Sequence, residues 1–494
     1  MHPEHRTDDT AAYINLKGGI TVCVPRELNL MTPYVLLEQE DWFENEIGFI
    51  RVLAEELTTS FDIGANFGIY SLTLAKGGAP QSAVWAFEPI DQPRHYLEKS
   101  IVANDLNNIN IAALALSSFS GSADMYSGAN TEMSTLNQAL AQEGSQKKSV
   151  AVSTLDEFCS EHALTDVDFI KIDAEGEEEN VIRGGGDIFE LSSPLVMFEI
   201  GVKERYLAVA KILQDQSYEI YRHVPALNCL APVDPSEDLD SFQLNLFACK
   251  PDRVQWLIKR NLLTPNISDR EARNGAASSA AATDLSNFPH FKFFDESWAL
   301  EPSGTSFEQN TYLGAIAHYG LAQDKSRRIS ERFALLRASC DDLSELCTRR
   351  PTRGRLMTYA RVANDCGDRT KAFRALSYLE KNFQDLEYDA SEAFLPPCAR
   401  FDYIDPRGEP DAWMRAAVTE QKLMLSTLTS YLAGDEYLDA LADLKGINYP
   451  GAEIERRWQL MRLLRGKQTG IQVTEFLSHR SPENLNPEIW GLKD

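Results

Sequence analysis

The chain has 494 residues, 43% hydrophobic and 10% aromatic, a length above what one core organises, which predicts two or three domains. Its 48 Lys and Arg against 74 Asp and Glu leave a formal charge of -26; no basic stretch offsets it, so nucleic acid is excluded as a partner. The eight cysteines (Cys23, Cys159, Cys229, Cys249, Cys340, Cys347, Cys366, Cys398) show no C-x-x-C spacing and read as reduced thiols of a cytoplasmic protein; the charged start MHPEHRTDDT lacks a signal-peptide core, and no apolar run approaches the ~20 residues of a membrane span.

Residues 13 to 34 alternate apolar and polar positions around Gly18, Gly19 and Pro25, as a hairpin does, and Val35 to Leu57 reads as one helix. Together, residues 1 to 58 form an N-terminal extension. From Thr59 short buried strands alternate with amphipathic helices. SFDIGAN is a strand and turn, GIYSLTLAKGG a helix, AVWAFEP the second strand, RHYLEKSIVANDL its helix and NINIAALAL the third strand. GSADMYS and SVAVSTL are extended pieces flanking a polar insert, and DEFCSEHAL is helical. VDFIKID, PLVMFEI, YEIYRHV and FQLNLFACK are four more strands. The alternation predicts an α/β unit over 59 to 255, a Rossmann-like, doubly wound, mostly parallel sheet covered on both faces.

A helix follows at VQWLIKRNLL, and residues 262 to 290, with NGAASSAAATDLSN, read as a linker. Residues 291 to 494 have helical period throughout and predict a separate all-α domain. Ile329, Phe333 and Leu336 share one face there, as do Ile454, Trp458, Met461 and Leu464. CGDRTKAFRAL around Gly367 echoes AGDEYLDAL around Gly434, an offset of 67 residues, near twice a 34-residue helical repeat; FLPPCARFDYIDPRGEP between them interrupts it. The alternatives are a helical repeat and an irregular bundle.

The sharpest motif is Phe61-Asp62-Ile63-Gly64-Ala65-Asn66-Phe67-Gly68. Glycines between a buried strand and a helix let the backbone turn tightly and approach a ligand, and open parallel sheets bind ligands at their carboxyl ends. The dinucleotide fingerprint G-x-G-x-x-G is absent, since Asn66 and Ile69 stand where its second and third glycines fall. Asp62 would repel a pyrophosphate but suits S-adenosylmethionine, which carries a sulfonium and an ammonium and no phosphate. Glu88 ends the second strand 24 residues after Gly64, near the spacing at which an acid meets ribose hydroxyls. In Ile170-Lys171-Ile172-Asp173-Ala174-Glu175-Gly176 a strand ends in two carboxylates two positions apart, which face one side if extended. They can orient the cofactor, serve as a base, cap the next helix, or hold Mg²⁺, a possibility no spacing supports.

Taken together, LLEQEDWFENEIGFI, DIGANFGIYSLTLA, FEP, STLDEF and FIKIDAEGEEENVIRGG resemble the FkbM-type methyltransferases, a class I S-adenosylmethionine-dependent family, over about Val35 to Phe247. The resemblance implies a seven-stranded sheet with its last strand antiparallel, which fits the closely spaced YEIYRHV and FQLNLFACK. It also implies O-methylation of a hydroxyl on a sugar, glycan or related natural product. On it, Asp62, Gly64, Asn66 and Gly68 match the cofactor turn, Glu88 the ribose-binding acid, and Asp173, Glu175, Gly176 and Glu178 the D-x-E-G-x-E signature.

Transfer to an alcohol needs alignment and a base to take the proton. The candidates are Asp173, Glu175, Glu199 and His223, in that order, with Asp173 also at the cofactor. Other classes remain open: a catalytically inactive scaffold recruiting partners through the helical half, or an NAD-dependent oxidoreductase, which the missing fingerprint disfavours. The helical half can cover the acceptor, dock a protein partner or self-associate.

Overall fold

A computed structural model of the protein describes residues 11–127, 134–137, 140, 145–265, 288–294, 307–389, 392–446, 449 and 451–465. The chain opens with the expected hairpin, β1 (Ala11–Leu16) and β2 (Ile20–Pro25), whose turn places Gly18 and Gly19 at φ 85° and 73°. Two consecutive positive φ values match the right-handed twist of paired strands. The single helix expected over residues 35 to 57 is two: α1 (Met31–Gln39) and α2 (Glu46–Ala54). Glu40 is left-handed (φ 54°) and ends α1, while Asp41 accepts the Trp42 amide and pairs with Arg51, fixing a bend that apolar spacing does not reveal.

The main sheet contains β3 (Thr59–Ile63), β4 (Ala83–Phe87), β5 (Ile109–Ala112), β9 (Phe169–Ile172), β10 (Leu195–Glu199), β11 (Glu219–Val224), β12 (Cys229–Pro232) and β13 (Asn245–Cys249), in the order β12-β11-β13-β10-β9-β3-β4-β5. The run from β10 to β5 is parallel, and β13 enters antiparallel between β10 and β11. The expected sheet of seven strands is present with its antiparallel last strand. An eighth, β12, extends its edge by returning as a hairpin against β11, so the sheet has eight strands. The third strand of the sequence reading is also split: β5 stays in the main sheet, while β6 (Ala115–Leu116) leaves to join β7 (Gly121–Ser127) and β8 (Gln146–Ser153) in a small second sheet.

Side chains alternate between two cores along each strand. Val84, Ala86, Phe169, Met197 and Phe247 face one core with α3 (Ile69–Gly77) and α4 (Asp91–Ala103). Phe61, Ile63, Ile170, Ile172 and Val196 face the other, with α5 (Leu155–Glu161), α6 (Glu178–Arg183), α7 (Gly186–Leu191) and α8 (Lys203–Asp215). This period of two, buried on both faces, explains why these strands read as near-continuous apolar runs.

After α9 (Pro251–Lys259) the chain stays attached to the sheet, since Leu230 donates to the Leu262 carbonyl (2.8 Å) and accepts from the Thr264 amide (2.9 Å). The α/β unit therefore runs past residues 255 and 262 to Thr264. Most of the expected linker, 266 to 287, lies outside the described residues, and Phe288, Phe291 and Phe294 at its far end already pack on the helical core.

The second half is helical: α10 (Phe307–Ala322), α11 (Ile329–Arg349), α12 (Arg353–Asp365), α13 (Arg369–Lys381), α14 (Pro410–Ser426), α15 (Asp435–Lys445) and α16 (Ala452–Leu464). Consecutive helices pack pairwise. The two Gly-Asp echoes are not equivalent, because Gly367 is left-handed (φ 84°) between two helices whereas Gly434 caps α15 at φ −80°.

The helical half, expected from its sequence to be separate, shares buried cores with the α/β half. Leu423, Leu438, Leu441, Ile454 and Met461 belong to one buried core with residues of β1, β2 and α1, where α16 packs on α1, and Val224, Leu227 and Cys229 of the β11–β12 hairpin enter the core of the other helices. Across the first junction Arg457 Nε lies 3.6 Å from Glu38 Oε1, with both side chains almost fully buried. Glu38 also accepts from Thr429 Oγ1 (2.6 Å) and the Ser430 amide (2.8 Å). Desolvating such charges is costly unless paired and hydrogen-bonded, which explains why both halves supply partners.

Candidate functional site

A cleft of about 960 Å³, partly open to solvent, lies at the carboxyl ends of β3, β4 and β9, where open α/β sheets bind ligands. Its floor is the turn after β3. Gly64, Asn66 and Gly68 have φ values of 78°, 50° and 81°. A Cβ on Gly64 would lie 1.8 Å from the Asp173 carbonyl oxygen, so glycine lets the turns after β3 and β9 meet.

Four amides of this turn are engaged within the protein. Gly64 and Ala65 donate to the Phe87 carbonyl (3.1 and 3.0 Å), Asn66 to Glu88 Oε2 (2.9 Å) and Gly68 to the Ala65 carbonyl (2.7 Å). A pyrophosphate needs free amides, and these four are taken. Two buried acceptors, Asp62 Oδ1 and Asn66 Oδ1, have no hydrogen-bond partner. The cleft thus presents acceptors and suits a ligand rich in donors and free of phosphate.

Asp62 is buried, and its Oδ2 accepts from the amide and hydroxyl of Ser71 (2.9 and 2.6 Å), tying the strand end to α3. Burial pushes its carboxyl up and Lys171 pulls it down. Glu88, also buried, accepts from the Asn66 and Ile90 amides (2.9 and 2.7 Å); withdrawal from water raises it to about 7. Asp173, about a third exposed, lines the cleft with Lys171 Nζ 2.8 Å from its Oδ2. Glu175 lines it too, at φ 48°, and burial, then Asp173 and Glu178, raise it to about 7. Glu178 accepts from the Ala174 and Gly176 amides (3.1 and 3.0 Å), so it shapes the loop that carries Glu175.

Two base candidates lie elsewhere. Glu199 faces an adjoining cavity with Glu175, Glu178 and Arg205, and burial beside these carboxylates raises it to about 9. His223 is outside the cleft, because β13 and β10 stand between β11 and β9 in the sheet. Its Nε2 lies 3.1 Å from Asn228 Oδ1, and burial lowers it to about 4. It is removed from the set. Among the described residues, no three His, Cys, Asp or Glu side chains are grouped to hold a metal ion. The described residues contain no helix long and apolar enough to cross a membrane.

Sequence reasoning missed Lys171. Parallel register sets it opposite Asp62 on the neighbouring strand, and its Nζ lies 4.0 Å from Asp62 Oδ1 and 4.9 Å above the Tyr70 ring. It offsets part of the acidic charge on which the cofactor argument from Asp62 rested; the engaged amides make the stronger case against a pyrophosphate. A lone Lys in the buried run FIKI was its signal. Trp42, Glu44 and Tyr70 were also missed. Trp42 and Tyr70 line the cleft, and Glu44 accepts the Tyr70 hydroxyl and Asn245 Nδ2 (3.1 Å). Glu44 lies within LLEQEDWFENEIGFI, a segment that carries the resemblance, but nothing there singled it out, because its position depends on the bend after α1.

An open α/β sheet with β13 inserted antiparallel, and a phosphate-averse cleft on its switch side, is a Rossmann-like methyltransferase architecture. Residues 62–220 match the family model described as the Methyltransferase FkbM domain. Over those residues the chain is similar to that family, a class whose methyl donor is S-adenosyl-L-methionine. No curated protein matches the chain in sequence. Among solved structures, methyltransferase FkbM from Methylobacillus flagellatus is 17% identical, covering 39% of this chain and 44% of its own, with a TM-score of 0.28. The alignment thus spans less than half of that protein. A SAM-dependent O-methyltransferase from Thermotoga maritima is 14% identical over 51% of this chain and 98% of its own, with a TM-score of 0.26. Precorrin-6y C5,15-methyltransferase from Geobacter metallireducens is 14% identical over 40% and 88%, with a TM-score of 0.23.

Proposed function

We propose that the chain methylates a hydroxyl of a saccharide or related natural product, using S-adenosyl-L-methionine bound in the cleft after β3. The observation that carries the donor is the cleft's chemistry: four engaged turn amides beside Asp62 Oδ1 and Asn66 Oδ1, acceptors that make no hydrogen bond. Resemblance to the FkbM family supports the acceptor class.

The bound donor supplies an electrophilic methyl group on a sulfonium. Glu88 is placed to accept ribose hydroxyls, and Pro89, Leu114, Leu116 and Met125 form an apolar wall suited to a purine. Asp62, Asn66 and Asp173 present oxygens to an ammonium, with Lys171 holding Asp173 in place. Glu175 is the general base: it lines the cleft, and its carboxyl near 7 is poised to take a hydroxyl proton at Oε. Asp173, already bound to Lys171, is the poorer acceptor of that proton.

Calorimetry of the full chain with S-adenosylmethionine, S-adenosylhomocysteine and NAD⁺ tests the reading. The two sulfur nucleosides bind, and Glu88→Gln weakens both by roughly tenfold or more, the loss of hydrogen bonds to a charged group. Binding of NAD⁺ alone, or of none of the three, overturns it.

A further inference from the structure

A second pocket, partly open to solvent, lies where the two halves meet. One layer of side chains separates it from the cleft. The Phe43 ring on its wall lies 4.6 Å from the Trp42 ring on the cleft wall, tilted by 52°, and Glu44 on its wall accepts the hydroxyl of Tyr70 from the cleft. Glu46, His223 and Asp240 line its α/β side, while Asn364, Gly367 and Arg369 line its helical side.

Two donor side chains on its wall are engaged by the protein. Gln243 Nε2 donates to Glu46 Oε1 (3.2 Å) and the Asn245 carbonyl (2.7 Å). Arg369 gives Nε to the Leu425 carbonyl (3.1 Å) and Nη2 to those of Met424 and Thr427 (both 2.7 Å). Acceptors are left over. His223 is 3% exposed, and its Nδ1 has no hydrogen-bond partner. Asn228 Nδ2 donates to the Gly48 carbonyl (3.1 Å), so its Oδ1 faces His223 Nε2 and makes that nitrogen the protonated one; Nδ1 is then a bare lone pair. Buried polar atoms are normally satisfied, so an orphan on a side chain that lines a pocket points to a donor from outside. An anion would meet Glu44, Glu46 and Asp240, and a cation would meet Arg369. A neutral molecule with adjacent hydroxyls and an apolar face fits the acceptors and the Phe43 and Phe242 rings.

We propose that this pocket binds one sugar unit of the methyl acceptor, so that the helical half completes the acceptor site. Its assignment to the acceptor rests on the methyl-transfer reading of the cleft. The test is saturation-transfer NMR on the full chain with D-glucose, D-mannose and N-acetyl-D-glucosamine as probes, and calorimetry with S-adenosylmethionine on the same samples. At least one sugar shows transfer, and His223→Phe and Asn364→Trp each weaken it by roughly tenfold or more, the loss of a hydrogen bond or of the space itself. Binding of S-adenosylmethionine is unchanged in both. Asn364 is only half-buried, which keeps the test valid should His223→Phe not fold. Absence of transfer from all three sugars, or unchanged transfer in Asn364→Trp, overturns the pocket. Failure of the wild type to bind S-adenosylmethionine instead overturns the methyl-transfer reading and leaves the sugar signal to judge the pocket alone.

Discussion

Gly64→Ala separates backbone strain from damage to the site. At φ 78° an alanine is strained by about 1–2 kcal/mol, which lowers Tm by roughly 2–4 °C per kcal/mol in a domain of this size. The larger effect is steric. The new Cβ would sit 1.8 Å from the Asp173 carbonyl oxygen, and an ordinary contact needs about 3.5 Å, so the turns after β3 and β9 must part by well over an ångström. The neighbour is backbone and cannot rotate away. Misplacement on that scale costs on the order of 10²-fold where groups must be aligned, so affinity for S-adenosylmethionine falls by about that factor. Gly19→Ala is the control: its φ is 73°, and no atom lies within 4 Å of the added Cβ. Calorimetry and thermal melts on both variants should show similar strain but loss of binding only for Gly64→Ala. Wild-type affinity in Gly64→Ala would refute the close approach of the two turns as the basis of the site.

Glu175→Gln should lower turnover by roughly 10²–10⁴-fold with little change in cofactor affinity, and wild-type kcat/KM should rise with pH through about 7, a limb the variant lacks. A pH profile retained in the variant would assign the base elsewhere. Glu88 and Glu46 are raised to about 7 and about 8 by burial, so the folded state holds protons that the unfolded state has released. Their stabilising contribution is complete below the ordinary carboxylate value of 4.5 and is lost as pH rises through 7 and 8. Melting temperature should therefore decline across that window, and the double variant Glu46→Gln, Glu88→Gln should flatten the decline; an unchanged slope contradicts it. Arg457→Met strands the buried Glu38 carboxylate and should cost about 3–5 kcal/mol, much of it recovered by adding Glu38→Met. Urea unfolding measures both, and a single variant as stable as wild type would show that the pair does not hold the halves together.

The turn Gly64 to Gly68, Glu88 and the Asp173 to Glu178 loop were legible because each lies at a strand end, where local pattern and position coincide. The antiparallel last strand was legible from the short spacing between YEIYRHV and FQLNLFACK. The role of Lys171 was not, since it depends on the register of β9 against β3, two segments more than a hundred residues apart. His223 failed as a candidate for a related reason. A strand-end position implies membership of the rim only when strand order is known, and the insertion of β13 moves β11 away from the cleft.

What the amino-acid order determined by itself was local: the period of two that makes buried strands, the period of 3.6 that makes the helices, the glycines that permit the turn, and the acids at strand ends. These depend on neighbours a few positions apart. The joining of the two halves was decided only in the folded chain. The apolar faces of α15 and α16 look like the faces of any helical bundle, and nothing in their spacing shows that they share a core with β1, β2 and α1. The partner of a buried charge such as Glu38 is likewise set by folding, because hydrogen bonding and desolvation act between groups that meet in space, here about four hundred residues apart.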